Sequence, residues 1–156
     1  MKTKELQRLW WDWLGTSERL LHSLHEQTVA LTLRDVARVE KIQPELDQML
    51  NRIQEIDERA STFATGLAEE MGTDPSLRSL VRVLDKNEAQ QVQAIANRVT
   101  VAARNIQHVL DKNKALIESE LTYIDGTMTF IAKSAVKAKG KFAEGGHAAV
   151  LLDQAA

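Results

Sequence analysis

PSLRSLVRVLDKNEAQQVQAIANRVTVAARNIQHVLDKNKALIESELTYID, residues 75–125, is the stretch that decides the fold of this chain. It contains no glycine and, after its first residue, no proline, and an apolar residue recurs every three or four positions. This pattern predicts one amphipathic helix of about fifty residues, roughly 75 Å long. The preceding segment, residues 32–71, has room for about forty helical residues, roughly 60 Å. We therefore expect an apolar face near residues 113–135 that the rest of the chain leaves uncovered, and such a face usually marks a binding site.

The strongest periodicity lies in that preceding segment. Its apolar residues alternate in steps of three and four over four heptads: Val39, Ile42, Leu46, Met49, Ile53, Ile56, Ala60, Phe63 and Leu67. This spacing predicts a narrow coiled-coil seam that packs against the third helix. Thr32–Asp35 has the form of a capping box at the start of the helix. Pro44 lies off the seam and predicts a kink near residues 40–44.

Two further segments complete the predicted bundle. Residues 71–75, Met-Gly-Thr-Asp-Pro, predict a turn, with glycine beyond one helix end, aspartate as the next N-cap and proline at the first helical position. Residues 4–31 predict a first helix, with a break or kink left open at Gly15–Glu18. The chain is therefore predicted to be all-α, an antiparallel bundle of three to four long helices. Residues 1–136 would form one domain, and residues 137–156 a mobile C-terminal tail.

The composition of this 156-residue chain excludes several classes of function. Hydrophobic residues make up 44 % and charged residues 27 %, which is ordinary for one soluble domain. The formal net charge of −2 gives no general attraction to nucleic acid or to anionic lipid. The absence of cysteine excludes disulfides, zinc–thiolate sites and thiol catalysis. The N-terminus lacks the apolar run of a signal peptide, and no stretch approaches the ~20 apolar residues of a membrane span, so we expect a cytoplasmic protein without membrane insertion.

The residues of this sequence that could act in catalysis or bind a metal do not form a recognisable active site or metal site. His22 and His25 lie one helical turn apart, but the inward carboxylates of a di-iron bundle are missing. The sequence contains no nucleophile–base–acid set and no glycine-rich phosphate loop. We therefore expect no enzymatic activity, no cofactor and no metal. A basic cluster without interleaved aromatic residues does not favour nucleic-acid binding; its members are Lys133, Lys137, Lys139 and Lys141.

All three tryptophans lie within Trp10–Trp13. Successive helical residues are about 100° apart, so three such neighbours cannot face one core. We expect Trp10 and Trp13 to share the buried face, beside residues 53–63 of the second helix, and Trp11 to remain partly exposed.

Several segments, in chain order, resemble the FlgN-type flagellar export chaperones. Leu20–Leu31, with Asp35 four residues on, is similar to the family's first-helix pattern, and Glu58-Arg59 is similar to its second helix. Asn113-Lys114-Ala115-Leu116-Ile117 resembles the family's Asn-Gly-x-Leu-Ile segment, with lysine in place of glycine. Phe142–Gly145 stands where the family has a tyrosine-to-glycine motif.

This resemblance implies a cytoplasmic chaperone built as a bundle of long antiparallel helices, without enzymatic activity. Its clients would be the hook-associated proteins of the hook–filament junction, whose aggregation-prone terminal helices it would cover and which it would deliver to the flagellar type III export gate. The family binds clients through its C-terminal helix, where a tyrosine is linked to the gate; Tyr123 is the only tyrosine here. The residues that we expect to bind partners are Asn113, Leu116, Ile117, Leu121, Tyr123, Ile124, Met128 and Ile131.

The apolar part of this set has the spacing of a surface that accepts another amphipathic helix. We call it the apolar stripe, and its members are Leu116, Ile117, Leu121, Ile124, Met128 and Ile131. Two other interpretations stay open. The stripe could pair with a second copy of the chain, which would make the protein a self-associating coiled-coil scaffold or homodimer. Alternatively, the third helix could break at Asn113 or Gly126 and fold back as a fourth helix that hides the stripe.

Overall fold

The computed structural model describes residues 1–120, which form three long helices and one short helix. These are α1 (Lys4–Thr32), α2 (Val36–Glu70), α3 (Leu77–Val83) and α4 (Lys86–Glu120). No strand occurs in residues 1–120, and the predicted all-α class is confirmed. The predicted tail, residues 137–156, lies outside the described residues.

The three long helices form an up-down-up bundle with α1 in the central position. α1 and α4 are parallel, because Thr3 meets Glu88 near their starts and Thr28 meets Asn113 near their ends. A short turn at residues 33–35 joins α1 to α2, so that α2 runs antiparallel to both. Both α2 and α4 pack closely against α1. The prediction that the second helix packs mainly against the third is therefore wrong, since α2 and α4 each pack mainly on α1.

α1 is continuous through the segment where the sequence left a break open. Thr16 and Ser17 are buried within it and cap no new helix. Their hydroxyl groups donate to backbone carbonyl groups of the preceding turn, at Asp12 (3.0 Å) and Leu14 (2.7 Å). The polar atoms of this segment are thus satisfied inside the helix, and the helix need not end there.

The start of α2 differs from the predicted capping box. Thr32 is the last residue of α1, and its hydroxyl donates to the Thr28 carbonyl oxygen at 2.8 Å. Asp35 is the N-cap of α2, and its carboxylate accepts the backbone N–H three residues on, at 3.1 Å. Pro44 is exposed, and α2 continues through it without interruption.

The predicted apolar positions of α2 are buried, apart from the half-buried Phe63. The buried band is nevertheless wider than a coiled-coil seam. Four flanking positions are also buried: Leu50, Asp57, Ala64 and Ala68. A band of this width is typical of a globular bundle helix rather than of a two-stranded coiled coil.

The turn after α2 contains one predicted and one unpredicted cap. Gly72 has a φ of +67°, a conformation that favours glycine, and the Thr73 N–H donates to the Ala68 carbonyl at 2.9 Å, which closes α2 as predicted. The next helix, however, is capped by Ser76 and begins at Leu77, so Asp74 and Pro75 do not take the predicted roles.

The long third helix predicted from residue 75 onward is wrong, because it is divided into α3 and α4. Leu84 is extended, with a ψ of 155°. Asp85 then precedes the first residue of α4, and its carboxylate accepts the Glu88 N–H at 3.0 Å. The break also resets the helical phase. A three-or-four-residue spacing continued from Leu77, Leu80 and Leu84 would place Gln91 on the buried face, but Gln91 is exposed and Val92 is buried instead.

The break moves the start of the last long helix. Within the described residues, α4 runs from Lys86 to Glu120, the last residue that the structure describes. Because α4 begins eleven positions later than predicted, at residue 86 rather than 75, its residues near position 113 still lie beside α1. The uncovered face expected from residue 113 onward therefore does not begin at that residue.

A buried carboxylate joins the starts of α1 and α4. Glu88 is 5 % exposed, and its Oε1 accepts hydrogen bonds from the Thr3 backbone N–H and from the Thr3 hydroxyl, both at 2.6 Å. The N–H groups at a helix start have no partner within the helix and carry partial positive charge, so they favour an anion there. Glu88 satisfies one such group of α1 and holds α4 beside it.

The tryptophan prediction is confirmed. Trp10 and Trp13 are 0 % and 2 % exposed, and Trp11 is 50 % exposed. Trp13 lies against Asp57 of α2, a carboxyl group that is itself 3 % exposed. Burial raises the pKa of Asp57 to about 8. The nearby Trp13 indole N–H lowers the pKa of Asp57, but it makes no hydrogen bond of normal geometry. Burial is therefore the larger effect, and the pKa stays raised.

We expect Glu88→Ala to lower the free energy of unfolding by about 1–3 kcal/mol, because two donors of Thr3 would lose their buried acceptor. Urea denaturation at neutral pH measures this change. Glu118→Ala is the matched control, since Glu118 lies on the same helix with an exposed side chain. Equal stability losses in the two variants would show that the buried contact contributes nothing specific.

We expect Asp57→Asn to remove a pH dependence of stability. The pKa of Asp57 rises on folding from 3.8 to about 8. Between these values the folded state binds the extra proton, so the group makes the free energy of unfolding fall as the pH rises, by at most about 1.4 kcal/mol per pH unit. The variant should match the parent near pH 4 and exceed its stability near pH 8. Urea midpoints across this range test this, and parallel pH profiles for the two proteins would contradict it.

Candidate functional site

The end of the bundle where α4 leaves the described residues carries a buried polar cluster centred on Asn113, which is 1 % exposed. Its amide nitrogen donates to the Leu24 carbonyl oxygen at 3.0 Å and to the Gln27 Oε1 at 2.9 Å. Its amide oxygen accepts from the Thr28 hydroxyl at 2.6 Å. Both ends of the Asn113 amide thus find their partners on α1, and the cluster fixes α4 against that helix.

One turn further along α4, a small apolar cluster closes the same end of the bundle. Ile117 is 1 % exposed and packs with Ala30, Leu31 and Val39. Leu116 is half-buried at the edge of this cluster. The cluster is separate from the main core, which fills the rest of the bundle.

The structure describes three of the residues predicted to bind partners. Asn113 and Ile117 are buried against α1 and α2, and Leu116 is half-buried. α4 passes through Asn113 without the break that one interpretation allowed there. The other predicted residues lie outside the described residues: Leu121, Tyr123, Ile124, Met128 and Ile131. Within the described part, the stripe therefore begins inside the bundle.

A second apolar surface was not predicted as a unit. It is a shallow groove between α1 and α4, here called the α1–α4 groove, lined by Trp11, Leu14, Glu18, Asn97, Arg98, Val101, Ala102 and Asn105. Trp11 and Val101 are 50 % and 55 % exposed. The guanidinium carbon of Arg98 lies 5.5 Å from the centroid of the Trp11 ring. The sequence predicted the exposure of Trp11. It did not predict the groove, because Val101 is a single apolar residue on a polar helix face and forms no periodic pattern.

Residues 1–120 bring together no group of three or more side chains able to hold a metal ion. His22, considered as a metal ligand, instead lies with its Nε2 3.2 Å from a Glu26 carboxylate oxygen, near the exposed surface. Within the same residues, no helix is both long and apolar enough to cross a membrane.

We expect Asn113→Asp to destabilise the bundle more than Asn113→Ala. A carboxylate would lose the two N–H donors and would place a charge, without a cationic partner, beside the Leu24 carbonyl oxygen; removing such a buried donor costs about 1–3 kcal/mol, and more for a charge. Urea denaturation measures both variants. Asn105→Asp, the same change at an exposed position of α4, should leave the stability within about 0.5 kcal/mol of the parent. Equal effects at the two positions would contradict the anchoring role.

Comparisons with known proteins bear on this arrangement. The family model described as FlgN protein matches residues 1–141. The match spans all four described helices and the whole apolar stripe. No curated protein and no solved structure matches the chain. Because the family match covers most of the sequence, this chain belongs to the FlgN family of flagellar export chaperones.

Proposed function

We propose that this protein is a cytoplasmic, non-enzymatic chaperone for the hook-associated proteins of the hook–filament junction, which it delivers to the flagellar type III export gate. The observation that carries this proposal is the family match over residues 1–141, which includes both the bundle and the apolar stripe. The partners are client helices and the export gate, with no nucleic acid and no membrane insertion.

The client surface in this proposal is the apolar stripe, extended by Tyr123. Each aliphatic side chain that a client helix buries contributes about 1.5–3 kcal/mol, before the costs of ordering and association. A stripe of this length supports micromolar or tighter binding of an amphipathic helix. The thioether of Met128 is flexible, which suits a surface that accepts more than one client sequence.

Asn113 has a supporting part in this proposal. Its hydrogen bonds to Leu24, Gln27 and Thr28 hold the last described turns of α4 on α1. The stripe begins immediately beyond this anchor. Asn113 would therefore set the position from which the stripe leaves the bundle, and the apolar side chains that follow would contact the client.

Ile117 takes part in client binding only if the end of the bundle opens. In the described structure it is covered by Ala30, Leu31 and Val39. This cluster is small and separate from the main core, so its opening costs less than unfolding of the bundle. We expect Leu116, which is already half-exposed, to meet the client before Ile117 does.

The deciding experiment compares client binding and stability in the same variants. Leu121→Asp and Ile124→Asp should abolish binding of a purified hook–filament junction protein from the same organism, because a charge would be buried unpaired at the interface at a cost of several kcal/mol. Their melting temperatures should stay close to that of the parent. Ile56→Asp should instead unfold the bundle, since Ile56 is 0 % exposed in the main core.

Val83→Asp is the matched control for the charge itself. Val83 is a 44 % exposed aliphatic residue near the opposite end of α4, and this variant should retain both binding and stability. If Leu121→Asp lowers the melting temperature as much as Ile56→Asp does, the stripe is ordinary core and the proposed client surface is wrong. A stable dimer of the parent that has no affinity for the client would favour the self-associating scaffold instead.

A further inference from the structure

The helical segment 76–120 is interrupted at one residue, although it contains no helix-breaking residue. From Ser76 to Glu120 the sequence has neither glycine nor proline. The interruption is at Leu84, whose ψ of 155° is extended, and leucine is among the residues that favour a helix most. The local preference for a helix and the observed break thus conflict. Such conflicts occur where contacts in the folded protein hold the chain against its local preference.

Two kinds of contact hold this bent form. The Asp85 carboxylate accepts the Glu88 N–H at 3.0 Å, which is the hydrogen bond of a helix N-cap. The side chains of Leu77 and Leu80, on α3, are each 1 % exposed and belong to the main core. Both the cap and the burial of these leucines depend on the division between α3 and α4.

The elements that meet at the break lie at one end of the bundle. Lys2 and Glu70 line the same pocket, so the end of α2 is level with the start of α1. Glu88 contacts Thr3, so the start of α4 lies at that level too. α3 joins α2 to α4 there, and its two buried leucines close this end of the main core.

A continuous helix would carry α3 away from this end. If residues 77–85 extended α4, they would project about 13 Å beyond Lys86, past the level at which α1 and α2 end. The two leucines would then leave the main core. The backbone would keep its hydrogen bonding, because the Glu88 N–H would donate to the Leu84 carbonyl oxygen in place of the Asp85 carboxylate. The two forms therefore differ by one cap and by the burial of two side chains.

We propose that α3 is a hinged lid, which closes the start of the bundle in the bent form and opens when Leu84 becomes helical and α3 joins α4. The Asp85 cap and the burial of Leu77 and Leu80 hold the lid closed. Opening uncovers these leucines and the part of the main core beneath them, at the end of the bundle opposite the proposed client surface.

Distances between two spin labels test this in the full chain, which contains no native cysteine. The labels are attached through Gln48→Cys on α2 and Arg78→Cys on α3, both at exposed positions. The otherwise unchanged chain should give one distance. Asp85→Ala with Leu80→Ala removes the cap and part of the buried surface, and should add a second distance that is about 10 Å longer. Asp85→Ala alone should add the same distance in a smaller fraction of molecules.

Lys86→Pro distinguishes a hinge from simple detachment of α3. Proline is favourable at the first position of a helix, which Lys86 occupies in α4, but it breaks a helix interior. Added to Asp85→Ala and Leu80→Ala, it should therefore remove the longer distance. A longer or broader distance that persists would show that α3 detaches without joining α4, and would overturn the proposal.

The control pair is Gln48→Cys with Gln93→Cys, which labels exposed positions of α2 and α4. Its distance should stay the same in every variant, which shows that the bundle is intact. An unchanged distance between Gln48 and Arg78 in both variants that lack the Asp85 cap would also overturn the proposal. No client enters these measurements, so their outcome is independent of the proposed chaperone function.

Discussion

The register between α1 and α4 is the constraint on which the rest of the structure depends. Apolar packing is non-directional, and two parallel apolar faces tolerate displacement along their axes. Buried polar groups do not, because a displaced donor or acceptor is left without a partner. Thr3 with Glu88 and Thr28 with Asn113 are both pairs separated by 85 positions. The two helices therefore keep the same axial register between these contacts. A shift of one helical turn would break both hydrogen-bonded pairs.

This register decides where the α1–α4 groove and the start of the apolar stripe lie. It places Trp11 beside Arg98 and so creates the α1–α4 groove. It also brings Ile117 to the level of the turn between α1 and α2, where the apolar stripe begins. A slip by one residue would rotate α4 by about 100° and would point a different face of the helix at α1.

The sequence predicted those features that depend on local periodicity. The first two long helices, the buried and exposed tryptophans, and the turn at Gly72 follow from apolar spacing and from glycine chemistry, and the structure confirms them. The family resemblance found from short motifs is also confirmed. The apolar stripe beyond Glu120 stays a prediction.

The features that the sequence did not predict depend on contacts between distant residues. The break at Leu84 contains neither glycine nor proline, and the Asp85-to-Glu88 spacing inside an apolar repeat resembles an ordinary polar helix face. The Glu88 side chain contacts Thr3, and no local pattern reveals that partner. The hydrogen bonds of the Asn113 amide to α1 were also not predicted, because their partners lie more than eighty residues away in the sequence. The role of Asn113 in partner binding stays a prediction.

The division of the buried apolar residues into two clusters is consistent with the proposed location of the client surface at this end of the bundle. The main core joins α1, α2, α3 and α4 and includes both buried tryptophans. The cluster around Ile117 is small and separate from it. Local opening is cheapest where few apolar contacts must be broken. A client helix that displaced Leu31 or Val39 from Ile117 would thus leave the main core intact, and the Asn113 anchor would limit how far the opening spreads along α4.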